Sequence, residues 1–149
     1  MSGPVVVGWD GSAAAGVALD RAIEEASSAG ASLVVVTVSA MPFEVEGPMS
    51  VGTLEGPATS LPLVEPPEVE HLFAAARERI EPAGVSADYV WEAGDPAAAI
   101  VREARNRHAG AIVVGKGHHS RLGRWLGADV AAGVESAIGN DCRVIVVDA

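Results

Sequence analysis

The chain has 149 residues, a length that suits one hydrophobic core and lets roughly two-thirds of the unfolded surface be buried. Its formal charge of -10 argues against nucleic acid or an anionic membrane surface as the main partner, since the average field repels both polyanions. Apolar residues make up 49%, mainly Ala, Val, Leu and Ile, which excludes a disordered chain and suits parallel strands packed under helices.

The amino terminus, Met1-Ser2-Gly3-Pro4, runs into Val5-Val6-Val7 with no basic region and no long apolar stretch of a signal peptide. No apolar run approaches the ~20 residues that span a bilayer, so a soluble cytoplasmic protein is expected. Residues 4–10 form the first predicted strand. A helix over 12–29 follows, with Ala14, Val17, Ala18, Ala22, Ile23 and Ala26 at helical spacings and Gly30 as its stop. Residues 31–39 make a second strand.

Residues 41–70 break the pattern, holding six of the nine prolines, six glutamates and no basic residue. They predict an irregular, solvated loop over about 41–66, either a lid over the sheet edge or a plain insertion. A helix over 66–82 then carries Val69, Leu72, Phe73, Ala76 and Ile80 on one stripe. Residues 85–92 alternate apolar and polar, as an edge strand does. Asp95 as N-cap and Pro96 in the first turn open a third helix with Ala97, Ile100, Val101 and Ala104 on its stripe. A strand over 109–115, a shorter helix over 129–138 and a last strand over 142–148 complete the chain. All strands but the third are nearly continuous apolar runs, which predicts cover on both faces. Cys142, the only cysteine, excludes an intrachain disulfide, supplies no metal cluster and reads as a core residue of a protein from a reducing compartment.

This order predicts a single α/β domain over 1–149, a three-layer α/β/α sandwich on a five-stranded parallel sheet. If the chain reverses once, after the third strand, right-handed crossovers put the strands in the order 3-2-1-4-5. Ligands of open α/β sheets bind at the carboxyl ends of the strands where the winding reverses. The predicted site therefore lies between Trp9-Asp10-Gly11-Ser12 and the loop that starts at Gly115.

That loop carries the chemistry. Gly115, Gly117, Gly123 and Gly127 allow left-handed backbone angles and a close approach to main-chain amides, where phosphate oxygens bind at helix starts. Residues 104–128 hold no Asp or Glu but include Arg105, Arg107, Lys116, Arg121, Arg124, His108, His118 and His119, a local inversion of charge. On charge alone, a cationic surface loop fits as well. The adjacent His118 and His119 lack further donors to complete a metal set, so no metal is expected. His71 and His108 read as helix-surface residues. Trp9, Trp91 and Trp125 read as packing residues, with Trp125 also placed to cover a base.

Four stretches together resemble the universal stress protein family: Val5-Val6-Val7-Gly8-Trp9-Asp10-Gly11-Ser12, Glu92-Ala93-Gly94-Asp95-Pro96-Ala97, Ala111-Ile112-Val113-Val114-Gly115 and Cys142-Arg143-Val144-Ile145-Val146-Val147. The resemblance implies a Rossmann-like fold of the adenine nucleotide alpha hydrolase type and an ATP or other adenine-nucleotide site. On this resemblance Asp10 and Gly11 meet the nucleoside and the main chain near Val38 meets the base. Val114, Gly115, Lys116, Gly117, Arg121, Gly127, Ala128, Asp129 and Val130 complete the expected nucleotide-binding set. The family's glycine signature is only partly present: Gly117 and Gly127 keep the nine-residue interval, Gly115 stands one residue too close, and Ala128 replaces the phosphate-binding hydroxyl. Asp129 at a helix start would compete with a phosphate for the same amides. Asp10 itself fits a ligand role and a helix-capping role equally.

The resemblance further implies a homodimer through the last strand, where Arg143, Val144, Ile145 and Val146 form an apolar edge that needs cover. Three readings stand: a dimeric, weakly or non-catalytic ATP-binding stress-response module, a relative that has lost ATP and works through protein contacts, and a weak ATPase. No serine-glycine-glycine phosphate loop, G-x-S-x-G elbow or phospho-acceptor Asp after the third strand supports stronger catalysis.

Overall fold

The computed structural model describes residues 3–39, 67–116 and 128–148. Strand β1 (Val5–Gly8) leads to helix α1 (Ala13–Ala29) and strand β2 (Leu33–Ser39). After α2 (Pro67–Ile80) and a short 3-10 turn over Glu81–Ala83 come β3 (Ala87–Ala93), α3 (Pro96–Asn106), β4 (Ala111–Lys116), α4 (Ala128–Ile138) and β5 (Arg143–Asp148). Every predicted strand and helix is present; the irregular loop expected over about 41–66 lies outside the described residues.

The five strands form one parallel sheet in the order β3-β2-β1-β4-β5. Helix α1 packs with α2 and α3 with α4, which makes the sheet the middle layer. The core is built from the strand valines and the buried stripes of the helices. Leu19, Leu33, Ile100, Ile112 and Ile138 are fully buried, each burial contributing roughly 1.5–3 kcal/mol.

Local chemistry explains the helix boundaries. Ser12 Oγ accepts from the Ala15 amide (3.1 Å), and Asp95 Oδ2 from the Ala98 amide (2.9 Å), so each satisfies a donor the helix leaves open. Gly30, at φ 66°, closes α1: the Ala31 amide donates to Ala26 O and that of Gly30 to Ser27 O.

Three expectations are corrected. Val17 is exposed, because the buried face of α1 runs through Ala14, Ala15, Ala18, Leu19, Ala22 and Ala26, one position round from the predicted stripe. The apolar run of β5 is only partly covered, because a strand at the sheet's edge has neighbours on one side alone. Cys142 precedes that strand and is only partly buried; its thiol donates to Ala109 O at 3.4 Å.

Candidate functional site

Because β1 is paired with both β2 and β4, the reversal of winding falls between β1 and β4. Their carboxyl-terminal tips lie side by side, with Val7 opposite Val113 at the end of the register. Gly115 then meets α1 directly: a Cβ there would stand 2.4 Å from the Ala14 carbonyl oxygen. This corrects the reason for that glycine. Residue 115 lies within a strand and outside the left-handed region, and it lacks a side chain because the first turn of α1 occupies the space.

On the other side of the crevice the chain leaves β1 through Trp9, Asp10 and Gly11. Trp9 is buried and its Nε1–H donates to the Leu72 carbonyl of α2 at 2.7 Å. Asp10 is only 8% exposed, so its carboxyl group is largely withdrawn from water at the tip of β1. Its Oδ1 accepts from the Ser12 amide at 2.9 Å, a turn that hands the cap of α1 to Ser12. Gly11 adopts φ 81°, with Leu72 Cδ2 2.7 Å from where a Cβ would stand. Of the two roles left open for Asp10, the helix cap belongs to Ser12.

The remaining predicted site residues separate into groups. Val38 is buried near the end of β2, opposite Glu92 of β3. Val114 is buried in β4, and Lys116 ends that strand with partial exposure. Ala128 and Asp129 begin α4, and Val130, next in the helix, is buried. Gly117, Arg121 and Gly127 lie outside the described residues, as do His118, His119, Gly123, Arg124 and Trp125.

Among the described residues, the cations of that window do not collect at one place. Arg105, Arg107 and His108 precede β4 and stand at the amino-terminal edge of the sheet, while Lys116 ends that strand. A six-residue strand separates the two ends by about 20 Å. Arg107 is paired with Asp88 and Glu103, and Arg105 with Asp141 and the Ala137 carbonyl. Arg105, His108, Asp141 and Cys142 line a shallow pocket of about 280 Å³ on that far edge. Burial raises the thiol pKa of Cys142, which keeps it protonated. His108 lies past α3, in the left-handed region at φ 54°, rather than on the helix surface.

Among the described residues no cluster of three His, Cys, Asp or Glu is arranged to hold a metal ion, and no helix is long and apolar enough to cross a membrane. Two features of the site were missed from the sequence: the Ala14 contact of Gly115, and Thr37. The latter is buried, with its Oγ1–H donating to the Trp9 carbonyl at 2.8 Å. A lone threonine inside a run of valines was the available signal.

Residues 1–147 match the sequence model of the universal stress protein family. The chain belongs to that family. No curated protein matches it in sequence. Among solved structures, this universal stress protein is similar to a family member from Burkholderia pseudomallei, with 24% identity, 97% of this chain and 96% of that one covered, and a TM-score of 0.65. A universal stress protein in complex with cAMP is 25% identical over 98% of this chain and 96% of that one, with a TM-score of 0.65. One from Archaeoglobus fulgidus in complex with dAMP is 22% identical over 97% of each chain, with a TM-score of 0.61.

Proposed function

We propose that this universal stress protein is an adenine-nucleotide-binding module of the stress response, with its ligand in the crevice between the tips of β1 and β4. One observation carries the reading: the largely buried Asp10 stands at the tip of β1, beside the strand where the winding reverses. An acceptor-only carboxylate suits a ribose hydroxyl or an amino group. Structural relatives described as complexes with cAMP and dAMP support the same ligand class.

In this reading Asp10 and Gly11 hold the nucleoside and the main chain at Val38 meets the base. Lys116 and Arg121 neutralise phosphate charge, and Val114, Gly115, Gly117, Gly127, Ala128, Asp129 and Val130 complete the nucleotide-binding set. The chain binds without transforming: ATP is held, and phosphate release stays at background with or without Arg121→Ala. Equilibrium binding of labelled ATP and AMP tests the reading, and no saturable binding at millimolar nucleotide would overturn it. Mass spectrometry of ligand released from freshly purified protein identifies the physiological occupant.

A second reading, action through protein contacts alone, is favoured by the opening of α4. Its sequence opens with Ala128 and Asp129, with no hydroxyl-bearing residue at the position where the family's phosphate-binding Ser or Thr is expected.

We further propose that one cytoplasmic domain of this kind pairs with a second copy through β5. That strand is hydrogen-bonded only to β4 among the described strands, and its Val144, Ile145 and Val146 are only partly covered. Arg143 flanks this edge. Light scattering tests the pairing, with Ile145→Lys expected to give a monomer.

A further inference from the structure

We propose that Thr37 is a positioning residue for the nucleotide site, setting through the carbonyl of Trp9 the direction in which the chain carries Asp10 out of the sheet. The inference rests on the nucleotide reading above.

The first ground is the burial of a hydroxyl. Among the described residues only Asp10 and Thr37 are buried polar or charged side chains, and both lie at the same rim of the sheet. Thr37 is 2% exposed and stands between Val36 and Val38 in a strand otherwise built from valine and leucine as far as its last residue, Ser39. Valine has almost the same shape and would be at home there. A hydroxyl at that depth is costly unless it is hydrogen-bonded, and its bond goes to Trp9 O at 2.8 Å.

The second ground is where that bond falls. The register of β1 with β2 ends at Gly8 and Val36, and beyond it the Trp9 amide still donates to Val36 O at 2.9 Å. A continuing parallel ladder would next bring the Val38 amide to the Trp9 carbonyl. The Thr37 hydroxyl takes that carbonyl instead. Meanwhile β2 runs on, paired with β3 as far as Ser39 and Ala93. β1 therefore parts from a strand that continues, and Thr37 sits at the point of parting.

The third ground is how few freedoms remain beyond that point. Trp9 is held by its amide, its carbonyl and its indole, the last on Leu72 of α2. The next residue but one, Gly11, rests against the Leu72 side chain. Asp10 is the single residue between these anchors, and rotating the Trp9–Asp10 peptide would swing its carboxylate. A carboxylate set in advance spares the ordering that binding otherwise requires.

Binding of labelled AMP is measured by equilibrium dialysis on the full chain as wild type, T37V, T37S, D10A and T37V/D10A. T37V should weaken binding about tenfold. T37S, which keeps the hydroxyl, should stay within about twofold of wild type. In the D10A background T37V should add no further loss, because Thr37 acts through Asp10. Should T37V not fold, Thr37→Ala removes the hydroxyl with less bulk. Wild-type affinity in T37V, or a T37V loss that adds fully to that of D10A, overturns this inference alone. No saturable binding by the wild type overturns the nucleotide reading and this inference with it.

Discussion

The Ala14 carbonyl oxygen of α1 occupies the space where a side chain on Gly115 of β4 would begin, 2.4 Å from an ideal Cβ. The small residues of α1, among them Ala14, Ala15, Ala18 and Ala22, let the helix lie this close to the strands. The same contact brings the tip of β4 to the start of α1 and hence to the turn that holds Asp10. Gly115→Ala should cost about 2 kcal/mol, since the obstacle is backbone and cannot rotate aside. A lower urea midpoint and weaker nucleotide binding are the expected outcomes, and an unchanged midpoint would mean that α1 shifts without cost.

Asp10→Ala should weaken any adenine nucleotide by about 1–3 kcal/mol, the penalty for leaving a ligand's polar groups unmatched. The change also removes the acceptor of the Ser12 amide, so stability must be followed in parallel. Asp95→Ala separates the two effects. It strips the cap of α3 and should lower stability by about 1 kcal/mol. Titration calorimetry with AMP on both variants, beside their melting curves, distinguishes ligand contact from turn formation.

His108 holds a place that glycine fills in α1. The Ala109 amide donates to Ala104 O and the His108 amide to Arg105 O, and the residue between α3 and β4 must take a left-handed conformation to allow both. A side chain there is strained. His108→Gly should stabilise the protein by about 0.5–1 kcal/mol, seen as a higher melting temperature with nucleotide affinity unchanged. A lower melting temperature would mean that the imidazole contributes more than the strain costs.

Glu25 links α1 to the first residue of β5. Hydrogen bonds from the Arg21 and Arg143 guanidinium groups hold its carboxyl below the ordinary glutamate pKa of 4.5. A depressed folded-state pKa contributes stability that is present above the unfolded value and lost as pH falls through the folded one. Below pH 4.5 the wild type should therefore lose stability more steeply than Glu25→Gln. The difference should shrink in high salt, because the pairs are on the surface. Parallel acid unfolding curves for the two proteins contradict this.

Much of the fold was legible because its signals are local. Runs of β-branched residues mark strands whatever surrounds them, and Asp95-Pro96 and Gly30 mark helix ends through their own dihedral angles and hydrogen bonds. The order of those elements, with the handedness of crossovers and a single reversal after the third strand, leads to the strand order that is observed. The position of Asp10, just past the strand that borders the reversal of winding, was legible for the same reason.

What stayed hidden depends on contacts between residues distant in sequence. The charge count over 104–128 treated Arg105 and Lys116 as neighbours, although β4 carries them to opposite edges of the sheet. Gly115 read as a loop glycine until α1 was packed against it, and Thr37 read as one more strand residue until Trp9 was brought beside it. The sequence alone therefore determined which elements form and in what order the strands lie, because backbone preferences and periodic burial act over a few residues. Only the tertiary structure decided which atoms share the crevice, since hydrogen bonds and steric contacts act over 3–4 Å and exist only after the chain has closed on itself.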